Sequence, residues 1–259
     1  MSANFAALRS HLETALAGRV AAPFNYRDRH SVPTVPCGIP EIDALTGGLP
    51  RGALTEIFGP PCSGRTSLLV ASLAARTSEG ESCALIDAAD SFDPHSAEAA
   101  GVDLKKLLWV RCKNIDHALR ATDLLLQSGG FGFVALDLMD VAPRLARQVP
   151  LDSCFRFRRA VEDTPTILAL FSQESNAKTC ASLVLRMDAH PAGWKRTAID
   201  ESPRCTPLSV GLLLDEFGSR AEMLRSRIQR AASGAPRAFA APDRAVGETV
   251  FRAKTKWNS

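Results

Sequence analysis

The nine residues Gly59–Ser67, GPPCSGRTS, carry the densest chemistry in the chain. Gly59 and Gly64 allow a tight backbone path, and two hydroxyls follow at once, Thr66 and Ser67. Such a loop, placed after a strand and before a helix, turns successive backbone N–H groups towards an anion and adds the positive end of the helix dipole. The chemistry it fits is the grip of a polyphosphate, with Thr66 offering its hydroxyl to a magnesium ion. Gly59, Pro60, Pro61, Cys62, Ser63, Gly64, Arg65, Thr66 and Ser67 are therefore the candidate nucleotide contacts. A turn between a strand and a helix is the plainer reading. The position where this motif carries lysine holds Arg65. Arginine keeps the charge but is longer, planar and bulkier. Since most of the cradle is backbone, binding is expected to survive. Placement of the last phosphate is less secure, because an error of ~1 Å can cost about 100-fold in rate.

A second candidate is Asp137, the one acid inside the apolar run FVALDLM. An isolated carboxylate there is costly to bury. At the end of a central strand it can hold a magnesium-bound water, or more simply cap the turn that follows. The seven cysteines form no C-x-x-C pair, which favours free thiols over a zinc site. Net charge is +3, too small to imply nucleic acid by itself. From Arg220 to the end there are nine Lys/Arg against three Asp/Glu, so the tail is basic. No apolar run reaches membrane-spanning length, and no leader pattern opens the chain, so a cytoplasmic protein without a membrane partner is expected.

The elements that must position these groups alternate. Residues 4–18 space Phe5, Leu8, Leu12 and Leu16 as a short amphipathic helix, and a proline-rich linker follows. Strands are expected over 53–59, 82–88, 107–112, 133–139, 166–172 and 182–188, with helices over 65–80 and about 114–127. Continuous apolar strands between helices imply an α/β fold with a mostly parallel sheet covered on both faces. The organisation expected is 1–37 as N-terminal helix and linker, 38–232 as core and 233–259 as a basic tail of weak structure. Trp109 is expected to pack. Trp194 and Trp257 can stack on bases, but isolated tryptophans usually pack.

The stretch GIPEIDALTGGLPRGALTEIFGPPCSGRTS, followed by CALIDAADSFDPHSAEAAGVDLKKLLWV, resembles the ATPase core of bacterial RecA recombinases. The likeness is strong from Gly38 to Asp140 and patchy to Arg230. It implies a RecA-like nucleotide-binding core using ATP or ADP with Mg²⁺. It also implies losses. The glutamate that activates water falls at Ala89, with Asp90 one residue away. The adenine-contacting aspartate matches Asp93, but the stacking aromatic falls at Ser96. The γ-phosphate sensor matches Gln173, whose plain reading is a surface glutamine at a strand end. Arg225 and Arg227 match the cations that reach a neighbouring protomer's nucleotide, or else belong to a basic edge strand. One DNA loop is cut to ESNAKTC. The other is replaced by a basic segment with Arg144, Arg147, Arg156, Arg158 and Arg159, which suits phosphates, solvent or a partner surface.

A short chain with these losses looks like the ImuA group, RecA-related accessories of damage-induced mutagenesis. The expectation is a nucleotide-binding protein of the bacterial DNA-damage response with weak or absent hydrolysis. Its expected partners are polymerase-like proteins, with single-stranded DNA and self-association left open. The rivals are a DNA-dependent ATPase that forms filaments on single strands, and an interaction protein that binds no nucleotide.

Overall fold

The apolar runs of the sequence become strands that bury both faces. In the computed structural model, which describes residues 32–197, 211–227 and 247–254, the chain starts with β1 (Thr34–Val35), α1 (Pro40–Thr46) and β2 (Leu49–Pro50). Next come β3 (Ala53–Phe58), α2 (Arg65–Ser78), β4 (Cys83–Asp87), α3 (Pro94–Ala99) and β5 (Leu107–Arg111). Then follow α4 (Ile115–Ser128), β6 (Phe133–Asp137), α5 (Pro143–Ala146), α6 (Leu151–Val161) and β7 (Ile167–Ser172). The last strands are β8 (Leu183–Thr197), β9 (Gly211–Ser226) and β10 (Gly247–Lys254). The expected helix over 4–18 lies outside the described residues.

Among the described residues the main sheet runs β10-β9-β8-β3-β7-β6-β4-β5. Its pairs from β8 to β5 are parallel, and β9 and β10 add antiparallel strands at one end. The architecture is therefore the α/β one expected, a mostly parallel sheet flanked by helices. Strand alternation divides the core. In β6, Phe133 and Ala135 join the cluster that contains Leu68, Leu69 and Leu73 of α2. Val134 and Leu136 join the opposite cluster, with Leu119 of α4 and Phe157 of α6. Among the described residues no helix is long and apolar enough to cross a membrane.

The tail departs from expectation. Residues 247–254 form β10, paired antiparallel with β9 from Gly247↔Met223 to Lys254↔Glu216. The cause is a short period-two pattern. Phe251 is 5% exposed and enters the α2 core, whereas Val250 faces out. Replacing Phe251 by Leu should cost about 1 kcal/mol in urea unfolding. An unchanged midpoint would show that the strand carries no stability.

Trp194 also departs from expectation. It lies where β8 and β9 have run past the end of β3, and it is 61% exposed. Trp257 is outside the described residues.

Candidate functional site

The loop Gly59–Gly64 leaves β3 at its C-terminal end and enters α2, as the motif requires. Gly64 has φ 87° and is the N-cap of a helix that has no side-chain cap. The first N–H groups of such a helix have no partner within it and point out of its end. Pro60, Pro61, Cys62, Thr66 and Ser67 are exposed around this opening, and Ser63 is buried beneath it. Glycine is needed at both ends of the loop. A Cβ on Gly59 would lie 1.9 Å from the Met187 carbonyl oxygen. One on Gly64 would lie 2.1 Å from Ser219 Oγ and 3.2 Å from Phe251 Cζ. The strands β8, β9 and β10 thus lean on the back of the loop.

Arg65 does not extend into solvent. It is 5% exposed, and Nη1 donates to the Ser172 carbonyl at 2.6 Å while Nε donates to Ser63 Oγ at 3.2 Å. Burial pulls its guanidinium below the ordinary value, and Asp137 and Asp140 partly restore it. The Ser172 carbonyl also accepts the Gly59 N–H at 3.3 Å. The end of β7 therefore ties both the first glycine of the loop and the arginine.

Asp137 stands at the end of β6, in register with Asp87 on one side and Phe171 on the other. It is 3% exposed, and Oδ1 accepts the Met139 N–H at 2.8 Å. Burial pushes its carboxyl up to about 7, with Asp87 and Asp140 adding to the rise. Met139 links three candidates. Its sulfur receives the Thr66 hydroxyl at 3.9 Å, its carbonyl receives Gln173 Nε2 at 2.9 Å, and its amide is the one Asp137 holds. Thr66, Asp137 and Gln173 thus meet beside Arg65.

The Ala89 region is held from below. Asp87 is fully buried and accepts from the amides of Ala89 (3.1 Å) and Phe92 (3.0 Å) and from Trp109 Nε1 (3.3 Å). Trp109 packs edge to face on Phe92. Asp90 forms an exposed ion pair with Arg111, whose guanidinium lies over the Trp109 ring. Of the two carboxylates nearest Ala89 in the chain, Asp87 is thus spent on amides and Asp90 is turned towards a cation. Asp93 caps α3, accepting from the amides of His95 and Ser96 and from the Ser96 hydroxyl.

Arg225 and Arg227 lie far along β9 from the loop. Arg225 pairs with Val184 near the start of β8, whereas the phosphate loop lies beyond the end of β3. Arg225 Nη1 donates to the Lys178 carbonyl and Arg227 Nη1 to that of Thr179. They are not brought to this chain's own loop.

Sequence reasoning missed Glu56. It is fully buried in β3, yet its carboxylate accepts from the amide of Asn176, the amide of Ala177 (2.7 Å) and the hydroxyl of Ser175 (2.9 Å). These partners lie on the connector from β7 to β8, which Arg147 also holds through Glu174 at 2.6 Å. A lone acid in the run ALTEIF was the available signal. In the basic segment, Arg156 pairs with Asp123 of α4 at 2.8 Å, and Phe155 and Leu145 are exposed.

Comparison with known proteins agrees with this geometry. The RecA N-terminal domain family matches residues 13–148, a little over half of the chain. A RecA protein of Brucella anthropi is 38% identical over 108 residues, 41% of this chain and 30% of that protein. One of Cutibacterium acnes is 37% identical over 108 residues, and one of Streptomyces ambofaciens 33% over 113. The chain thus matches less than a third of the length of these relatives. On the extent of the domain match, the chain belongs to the RecA N-terminal domain family.

Proposed function

We propose that the chain is a nucleotide-binding accessory of the bacterial DNA-damage response, of the ImuA type, acting in repair or translesion mutagenesis with weak or absent hydrolysis. The observation that carries this reading is the uncapped start of α2, with Gly64 in the left-handed region and Thr66 linked through Met139 to buried Asp137. The residues present fit a magnesium nucleotide. The amides of the loop and of the first turn of α2 would hold phosphate oxygens, and Thr66 and Asp137 would hold the ion. Bound ATP supplies a phosphoanhydride bond, and cleaving it needs an oriented water. Ala89 offers only a methyl group for that task, and Asp90 is paired with Arg111. Gln173, held at the Met139 carbonyl beside Thr66 and Asp137, would be the residue to sense the terminal phosphate. Asp93, spent on capping α3, is a candidate contact for the base.

The accessory reading is favoured over a filament-forming ATPase by the β7–β8 connector, where Glu56 and Arg147 pin residues that a DNA-binding loop would need free. Its proposed partners are polymerase-like proteins. Single-stranded DNA and a second copy of the chain are the other candidates.

Melting with and without Mg-ATP tests the reading. A ligand at about 100 times its Kd raises stability by ~2.7 kcal/mol. No shift up to millimolar nucleotide would leave an interaction protein that binds no nucleotide. Ala89→Glu gives a second test, since Ala89 is exposed and its amide is already fixed. Phosphate release should rise about 100-fold, the lower end of the range for one added general base. An unchanged rate would place the defect elsewhere, with Arg65 the first suspect.

A further inference from the structure

We propose that Glu56 is a positioning residue through which the site distinguishes a nucleoside triphosphate from a diphosphate; this rests on reading Gly59–Ser67 as a nucleotide site. Glu56 touches neither the phosphate loop nor the ion candidates. Its carboxylate crosses to the β7–β8 connector and collects two amides and one hydroxyl from three consecutive residues, Ser175, Asn176 and Ala177. The residues just before these face the phosphate loop. The Ser172 carbonyl holds Arg65 and Gly59, Ser172 Oγ donates to the Glu174 carbonyl at 2.7 Å, and Gln173 Nε2 is bound at Met139.

Six residues in a row are thus anchored: Ser172 and Gln173 at the site, Glu174 by Ser172 and Arg147, and Ser175, Asn176 and Ala177 at Glu56. The position of Gln173 is set from both sides. A fully buried carboxylate is retained only where its bonds repay the loss of water, and here all of those bonds go to the connector. Losing them strands two amides in an apolar setting and frees the connector to shift. Gln173 then loses its fixed aim, while the main-chain cradle in Gly59–Ser67 stays in place. Discrimination falls and diphosphate binding persists.

The bond pattern also separates two substitutions. In Glu56→Gln, a carbonyl oxygen at the Oε1 position still accepts both amides, and the NH₂ group at Oε2 can donate to the Ser175 hydroxyl. Glu56→Ala provides no acceptor. The test is titration of the wild-type chain and both variants with Mg-ATP and Mg-ADP, followed by calorimetry, with melting in the absence of nucleotide to confirm folding.

The wild type and Glu56→Gln should both prefer ATP. In Glu56→Ala that preference should fall about tenfold, the size expected for hydrogen bonds to a charged group, with ADP affinity held within about twofold. Equal losses for both nucleotides, or an unchanged preference, would overturn the proposal. So would equal affinity of the wild type for ATP and ADP, which leaves the nucleotide site standing. No binding of either nucleotide by the wild type would instead overturn the site. If Glu56→Ala does not fold, amide exchange in the wild type decides. ATP should protect residues 173–177 more than ADP does, and identical protection would overturn the idea.

Discussion

Arg65→Lys should bind Mg-ATP more tightly than the wild type, by about 10- to 100-fold. The argument starts from where the guanidinium already is. It lies within the protein, bonded to the Ser172 carbonyl and the Ser63 hydroxyl and facing Asp137 and Asp140. To meet a phosphate it must leave those partners. A hydrogen bond from a charged group is worth about 1.5–3 kcal/mol, and each 1.4 kcal/mol is about a factor of ten in affinity. The lysine ammonium is a compact point charge on a flexible stem. It cannot span Ser63 and Ser172 as the planar fork does, so less binding energy is lost in releasing it. The same change should make the nucleotide-free protein slightly less stable, because two buried contacts disappear. Calorimetric titration settles the matter. Equal or weaker binding by the lysine variant would mean that the inward pose of Arg65 does not compete with nucleotide. Arg65→Ala is the control. It frees the pose but removes the charge, and it should bind more weakly than the lysine variant.

How much of this was legible beforehand follows from the range of each interaction. The phosphate loop could be read because its requirements are local: two glycines, a strand before and a helix after. The parallel sheet could be read because its strands are apolar on both sides. The pose of Arg65 could not be read, since its acceptor is the carbonyl of Ser172, more than a hundred residues away. Glu56 stood out as a lone acid in an apolar run, but its partners were hidden for the same reason. Its partners 175–177 are distant in sequence, and an acid in a strand reads as an exposed edge until the connector is seen to cross it. β10 was missed because six alternating residues, Glu248–Ala253, sit in a stretch dominated by alanine, proline and arginine, and composition outweighed period. Trp194 was misread because β8 and β9 extend past β3, so its side chain lies beyond the end of that strand. Asp137 was half legible. The capping alternative is realised in its bond to the Met139 amide, while the Arg65 guanidinium acts on the same carboxyl.

Asp137→Asn should stabilise the nucleotide-free protein at about pH 8 by roughly 3–4 kcal/mol and leave it nearly unchanged at about pH 4. The sign follows from the direction of the shift. Burial raises the Asp137 carboxyl to about 7, with Asp87 and Asp140 on the same side and Arg65 and the Met139 amide opposing. In the unfolded chain it titrates near 3.9. The folded state therefore binds the proton more tightly, and a penalty for ionisation grows as pH rises from about 4 and is complete above about 7. The wild type should accordingly lose on the order of 2–3 kcal/mol between about pH 5 and pH 8 in the presence of a chelator. The carboxyls of Glu81, Asp90, Asp93 and Glu174 are shifted the other way, each by a nearby hydrogen bond or cation, so their effects fall at lower pH and do not mask this slope. Asparagine keeps an oxygen for the Met139 amide and carries no charge, so its profile should be flat. Urea titrations across that range decide. A wild type more stable at about pH 8 than at pH 5 would mean that Asp137 is ionised without penalty. The cost has a use under the proposed function: an ion brought by the nucleotide favours the charged carboxylate, so binding should release a proton near neutral pH, and the asparagine variant should lose that release together with its dependence on magnesium.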